Sequence, residues 1–141
     1  DHFKKVNDTY GHSVGDVVLQ RVAEICKGAL RDVDIIARYG GEEFVILLPE
    51  TTATEAQLMA ERLRQLMART TMDINNIQIA VTLSFGVVEV DKDCKNIEEL
   101  IDRSDQAQYH SKNSGRNCVS IWTPEMRLHE DVNGVNSHLH H

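Results

Sequence analysis

Positive charge is in short supply. The 141 residues carry 15 Lys and Arg against 22 Asp and Glu, a net charge of -7 at pH 7. A general nucleic-acid or anionic-membrane binder needs a basic surface, so this balance excludes that class. Nucleotides stay open, provided local cations or a metal ion meet the phosphates. Cysteine is equally sparse: Cys26, Cys94 and Cys118 stand far apart, odd in number and without a CxxC pair. That spacing fits neither a disulfide framework nor a zinc site, and scattered thiols suit a reducing cytoplasm. No apolar run nears the roughly 20 residues that span a bilayer, and no signal-peptide pattern is visible. Walker A, GxGxxG, HExxH and GxSxG patterns are missing, as are internal repeats and low-complexity segments.

What remains is an ordinary globular balance, 41% hydrophobic and 26% charged. The length suits one domain that buries roughly 68–70% of its unfolded-chain surface. The chain opens at Asp1 without a methionine and reads as a piece of a longer protein. From Thr123 to His141 it is polar and aperiodic, a flexible tail. His138, His140 and His141 at its end suit an expression scar or solvated tail better than a metal site.

Val18, Val22, Ile25, Cys26 and Ala29 fall at helical spacing and predict a helix over residues 15–30. Two apolar runs, Ile35-Ile36-Ala37 and Phe44 to Leu48, flank Gly40-Gly41 and predict a hairpin, since a type I′ turn needs positive φ at both central positions. Pro49 stops the second run. Thr52-Ala53-Thr54-Glu55 matches a capping box before a helix striped with Leu58, Met59, Leu63, Leu66 and Met67. Strict alternation from Ile77 to Val87 predicts one long strand or two joined by a bend, with Gly86 a candidate bulge. Asn96, Glu98 and Glu99 open a third helix that ends near Gly115, and Cys118 to Trp122 is a last short strand. Helices covering a partly antiparallel sheet make an α+β sandwich.

Three stretches carry candidate chemistry. In Arg38-Tyr39-Gly40-Gly41-Glu42-Glu43-Phe44, two glycines let a ligand lie against backbone and two carboxylates follow at once. Strand alternation sends Glu42 and Glu43 to opposite faces, so they are not equivalent. An ordinary charged hairpin tip is the alternative. In the loop from Asp1 to Asp16, lysines, an amide, an imidazole and carboxylates crowd ahead of the first helix. Asp16 can accept from the N1–H and N2–H₂ edge of guanine, and Asn7 can donate and accept. Asp8, Ser13 and Asp16 are equally good turn and helix-start residues. In Lys112-Asn113-Ser114-Gly115-Arg116-Asn117, cations close a helix, as its dipole favours, or contact phosphates.

Together, DHFKKVNDTYGHSVGD, RYGGEEF, the LSFGV strand and SKNSGRN resemble the GGDEF family of diguanylate cyclases, in its GGEEF variant, from Asp1 to about Trp122. The resemblance implies a βααββαβ core similar to the palm of nucleotidyl cyclases, with a mostly antiparallel central sheet. It implies that two GTP are condensed into cyclic di-GMP and two pyrophosphates across an antiparallel homodimer, with two Mg²⁺ or Mn²⁺ ions per site. Carried over residue by residue, Glu42 and Glu43 are the catalytic and metal-ligating carboxylates. Asn7, His12 and Asp16 meet guanine and substrate. Lys4, Lys112 and Arg116 meet the triphosphate, helped by backbone N–H groups of His2 and Phe3, and Gly40 and Gly41 leave room for the nucleotide. Arg31 and Asp34 match an RxxD site, five residues before the glycines, where the product cyclic di-GMP inhibits.

The family's first strand, and a metal-ligating Asp two residues before Asp1, fall upstream of these 141 residues. A catalytic domain of this kind is therefore expected to begin before Asp1, and the segment alone is expected to be inactive. An upstream regulatory domain is implied, on a cytoplasmic domain of a soluble or membrane-anchored parent. The alternative function is a non-catalytic cyclic di-GMP sensor working through Arg31 and Asp34.

Overall fold

A computed structural model describes residues 3–39, 43–91, 94 and 96–126. Among these residues the elements run in order α1 (Phe3–Tyr10), α2 (His12–Ala29), β1 (Ile35–Arg38), β2 (Phe44–Leu47), α3 (Ala53–Ala68), β3 (Met72–Ile74), β4 (Ile77–Ile79), β5 (Phe85–Val87), α4 (Ile97–Asn113) and β6 (Val119–Ile121). The expected mixture of helix and sheet is present. The strands pair as three two-stranded ladders: β1–β2 and β3–β4 are antiparallel, β5–β6 is parallel. Among the described residues no helix is long and apolar enough to cross a membrane.

The chain divides into two packing units. The first holds residues 1–50 and 63–83. Its core is the stripe Val18, Leu19, Val22 and Cys26 of α2, with Leu63 and Met67 from the end of α3 and Met72, Ile74 and Ile79 from β3 and β4. Burial pushes the Cys26 thiol up to about 11, because a thiolate would have to lose its water. Ahead of α2 the sequence predicts a loop, and the structure has the separate helix α1. Phe3, Val6 and Tyr10 fall at helical spacing in FKKVNDTY, a signal the loop expectation passed over; eight residues are too few to hold a helix alone, and α1 packs against α2. Gly11, at φ +91°, turns the chain between the two helices. The predicted start of α2 is correspondingly three residues late.

The predicted hairpin is there, and the Gly40-Gly41 turn predicted for its tip lies outside the described residues. Arg38 pairs with Phe44, and the Tyr39 N–H donates to the Glu43 carbonyl at 2.8 Å. Three residues therefore lie between Tyr39 and Glu43, where a two-residue type I′ turn would leave two. Strand β3 was not foreseen. Its signal lies in Asn75-Asn76, both at positive φ (52° and 67°), as a two-residue hairpin turn requires.

The second unit holds residues 51–62 and 84–141. Thr52 and Glu55 exchange capping bonds at the head of α3: each backbone N–H reaches the other's side-chain oxygen at 3.2 Å. Asn96 caps α4 by accepting from the Glu99 N–H at 2.8 Å. That helix connects the parallel strands β5 and β6 and packs on both, as a parallel crossover needs. Gly86 is not a bulge. It pairs regularly with Ser120, and a Cβ there would collide with the Ser104 carbonyl and Gln108 backbone of α4. Glycine is needed for close approach of helix to strand.

Candidate functional site

Helices α1 and α2 meet at Gly11 and form one wall of the candidate site. Gly11 N–H donates to the Asn7 carbonyl at 2.8 Å, and Gly15 N–H to the Gly11 carbonyl at 3.1 Å, so the joint is bonded from both sides. This brings Asn7, on the last turn of α1, close to the start of α2, whose first turn carries His12 and whose second opens with Asp16. Phe3 and Asn7 are half-buried, whereas Lys4, His12 and Asp16 face solvent. A helical α1 therefore gathers Phe3, Lys4 and Asn7 at i, i+1 and i+4, a grouping that a loop would not fix.

Opposite α2 stands the β1–β2 hairpin. Between them lies a cavity of about 420 Å³, lined by Asp16, Leu19, Gln20 and Ala23 of α2 and by Ile36, Arg38 and Phe44 of the hairpin. Both periodicities explain the lining. Positions 16, 19, 20 and 23 share a helix face, while Ile36 and Arg38 share a strand face with Phe44 paired opposite Arg38. The cleft is open, and its lining joins the apolar Leu19, Ala23, Ile36 and Phe44 to the charged Asp16 and Arg38. Arg38 Nη2 stands 3.9 Å from Asp16 Oδ1, with both side chains largely exposed (48% and 72%), so the pair is weak. Reasoning from sequence gave Arg38 no role. Its position two residues before the glycines, on the same strand face as Ile36, was the available signal.

Glu43 is half-buried at the base of the hairpin tip. Gly40, Gly41 and Glu42 lie outside the described residues, as does His2. Among the described residues no group of three or more His, Cys, Asp or Glu is gathered to hold a metal ion. The donors that the sequence offers at the tip are carboxylate oxygens, which suit Mg²⁺ supplemented by phosphate oxygens.

Two further groups were named from sequence. Lys112 sits half-buried on the last turn of α4, and Arg116 is exposed beyond it at φ +63°. The Arg116 N–H donates to the Ser111 carbonyl at 3.1 Å, which holds it at that helix end with Lys112. Both belong to the second packing unit, whereas Asn7, Asp16 and Glu43 belong to the first. Arg31 and Asp34 close a short loop between α2 and β1. Arg31 Nη2 donates to Asp34 Oδ1 at 2.8 Å, its backbone N–H to Oδ2 at 2.8 Å, and Nη2 also to the Pro49 carbonyl at 3.1 Å. The Arg31 side-chain hydrogen bond holds the Asp34 carboxyl below its ordinary value.

The family model described as "Diguanylate cyclase, GGDEF domain" matches residues 1–118. The chain belongs to the GGDEF family of diguanylate cyclases. Diguanylate cyclase A of Treponema denticola is 43% identical over 121 residues, which are 86% of this chain and 33% of that protein. The chain thus spans about a third of that relative. Among solved structures, the GGDEF domain of DgcB from Caulobacter crescentus in complex with c-di-GMP superposes with a TM-score of 0.78 at 34% identity, covering 86% of this chain and 72% of that one. The active GGEEF domain of a diguanylate cyclase from Vibrio cholerae superposes with a TM-score of 0.77 at 36% identity, covering 87% and 78%.

Proposed function

We propose that this GGDEF domain is the catalytic part of a diguanylate cyclase that condenses two GTP into cyclic di-GMP and two pyrophosphates. One observation carries the reading: Asn7 on the last turn of α1 packs against Gly15 of α2, and the next residue, Asp16, lines an open cleft of about 420 Å³. Asp16 accepts from the N1–H and 2-amino group of guanine, and Asn7 and His12 add base and substrate contacts. Lys4, Lys112 and Arg116, with backbone N–H groups of His2 and Phe3, meet the triphosphate, and Gly40 and Gly41 admit it. Glu42 and Glu43 hold Mg²⁺ or Mn²⁺, two ions per site, which when bound neutralise charge on the phosphates.

The chemistry needs two copies. In an antiparallel homodimer, each GTP offers its 3′-oxygen to the α-phosphorus of the other. An O3′–P bond forms, the bond to the β-phosphate oxygen breaks, and pyrophosphate leaves. The hydroxyl proton passes to Glu42. Two such displacements close the ring. Cyclic di-GMP then binds at Arg31 and Asp34, where a guanidinium and a carboxylate match guanine edges and phosphate. An upstream domain supplies control.

The complete protein, incubated with GTP and Mg²⁺, is expected to release cyclic di-GMP, and Asp16→Ala to raise the GTP concentration required. If the protein binds GTP and dimerises yet forms no cyclic di-GMP, the reading fails. Calorimetry with cyclic di-GMP on Arg31→Ala then separates product inhibition from a purely sensory role.

A further inference from the structure

Gly15 is buried inside α2, one residue before Asp16. Alanine is the better helix former at such a position, and no turn there calls for glycine. Space does. A Cβ built on Gly15 would collide with Asn7 Oδ1, and would lie 2.9 Å from Asn7 Cγ and 3.2 Å from Phe3 Cζ. The three nearest atoms are all side-chain atoms of α1, from two residues of the candidate site. The missing Cβ leaves a notch in α2, and the Asn7 carboxamide lies in it.

A carboxamide on a free side chain turns broadly about its last torsion. One lodged in a notch presents donor and acceptor in a fixed direction, and pre-organised polar groups bind with less ordering cost. We infer that Gly15 is a positioning residue for base recognition: its bare backbone seats Asn7 next to Asp16, so that both face the same edge of a purine. The inference rests on the nucleotide reading above and acts only through Asn7.

That restriction supplies the test. The complete protein is titrated calorimetrically with a GTP analogue uncleavable at the α-phosphate, and with the matching ATP analogue. Asn7→Ala and Gly15→Ala are each expected to weaken the GTP analogue about tenfold, the scale of one lost hydrogen bond, while leaving the ATP analogue unchanged. The double variant is expected to bind as Asn7→Ala does, within about twofold, because truncating Asn7 removes the group that Gly15 positions. Wild-type affinity in Gly15→Ala overturns the inference, as does a multiplied loss in the double variant. Should Gly15→Ala fail to fold, the double variant decides. Folding with the affinity of Asn7→Ala supports the inference, and weaker binding or unfolding rejects it. If Asn7→Ala itself binds GTP normally, the role of Asn7 in base reading falls, and the inference falls with it.

Discussion

The first packing unit buries aliphatic side chains, among them Val18, Leu19, Val22, Leu63, Met67, Ile74 and Ile79. Among the described residues, the second buries Ala60, Val87 and Ala107 as its apolar part. It also holds every buried polar or charged residue: Ser84, Arg103, Asp105, Gln106 and Ser111. Ser111 Oγ bonds the Phe85 carbonyl at 2.9 Å and Ser120 Oγ at 2.6 Å, tying α4 to both parallel strands. Arg103, 4% exposed, bonds Asp91 and Glu99 at 3.2 and 3.0 Å. Apolar burial is non-directional and tolerates adjustment, whereas hydrogen bonds fix geometry. The unit with an open slot is built from the adaptable material. The unit that carries Lys112 and Arg116 is built from the exacting one.

Substitutions can break that contrast. The largest loss is expected from Met67→Ala. Its side chain is fully buried, and a Met→Ala cavity costs about 3 kcal/mol. Urea unfolding followed by circular dichroism measures it, and a loss under about 1 kcal/mol would mean that the first core closes over the gap. Next comes Gly86→Ala, which forces a methyl into the backbone of α4, an overpacking worth about 2 kcal/mol. Amide exchange should quicken in β5, β6 and α4; protection unchanged there would show that the helix can back away. Ser111→Ala is smaller, about 1 kcal/mol for a net hydrogen bond. Ser111→Cys should not restore it, because a thiol is a weak donor. Equal stability of all three proteins in urea would remove the polar network as a cause.

The smallest effect sharpens the comparison through pH. Asp34 has a lowered pKa because Arg31 donates to it. Its contribution is fully present above the unfolded value, about 4 for Asp, and is lost as pH falls through the lowered folded value. Asp34→Asn should therefore lie below the wild type at neutral pH by a constant margin that closes below about pH 4. Arg31 is half exposed, so the margin is small. A margin that persists unchanged to the lowest pH would assign it to packing.

Much of this was legible in the chain. Caps at Thr52–Glu55 and Asn96, the stripe of α2 and the paired runs around the glycines all use local rules, and local rules hold where neighbours agree with them. Helix α1 was missed although Phe3, Val6 and Tyr10 share helical spacing, because eight residues are too short for that pattern to stand without α2. Strand β3 was readable from Asn75-Asn76 but short enough to miss. The candidate residues were named from motifs. What motifs could not give was the slot between α2 and the hairpin, or the notch at Gly15, since both depend on which faces meet.

One side chain turns the division between the units into something that can be watched. The chain has a single tryptophan. Trp122 lies under the Arg103 guanidinium, 4.4 Å from ring centroid to cation, and its indole N–H donates to Gln106 Oε1 at 2.8 Å. All three residues belong to the second unit. Indole emission therefore reports only that half of the molecule. Comparing the emission change on heating with the loss of backbone ellipticity would show, without any label, whether the halves melt in one transition or two.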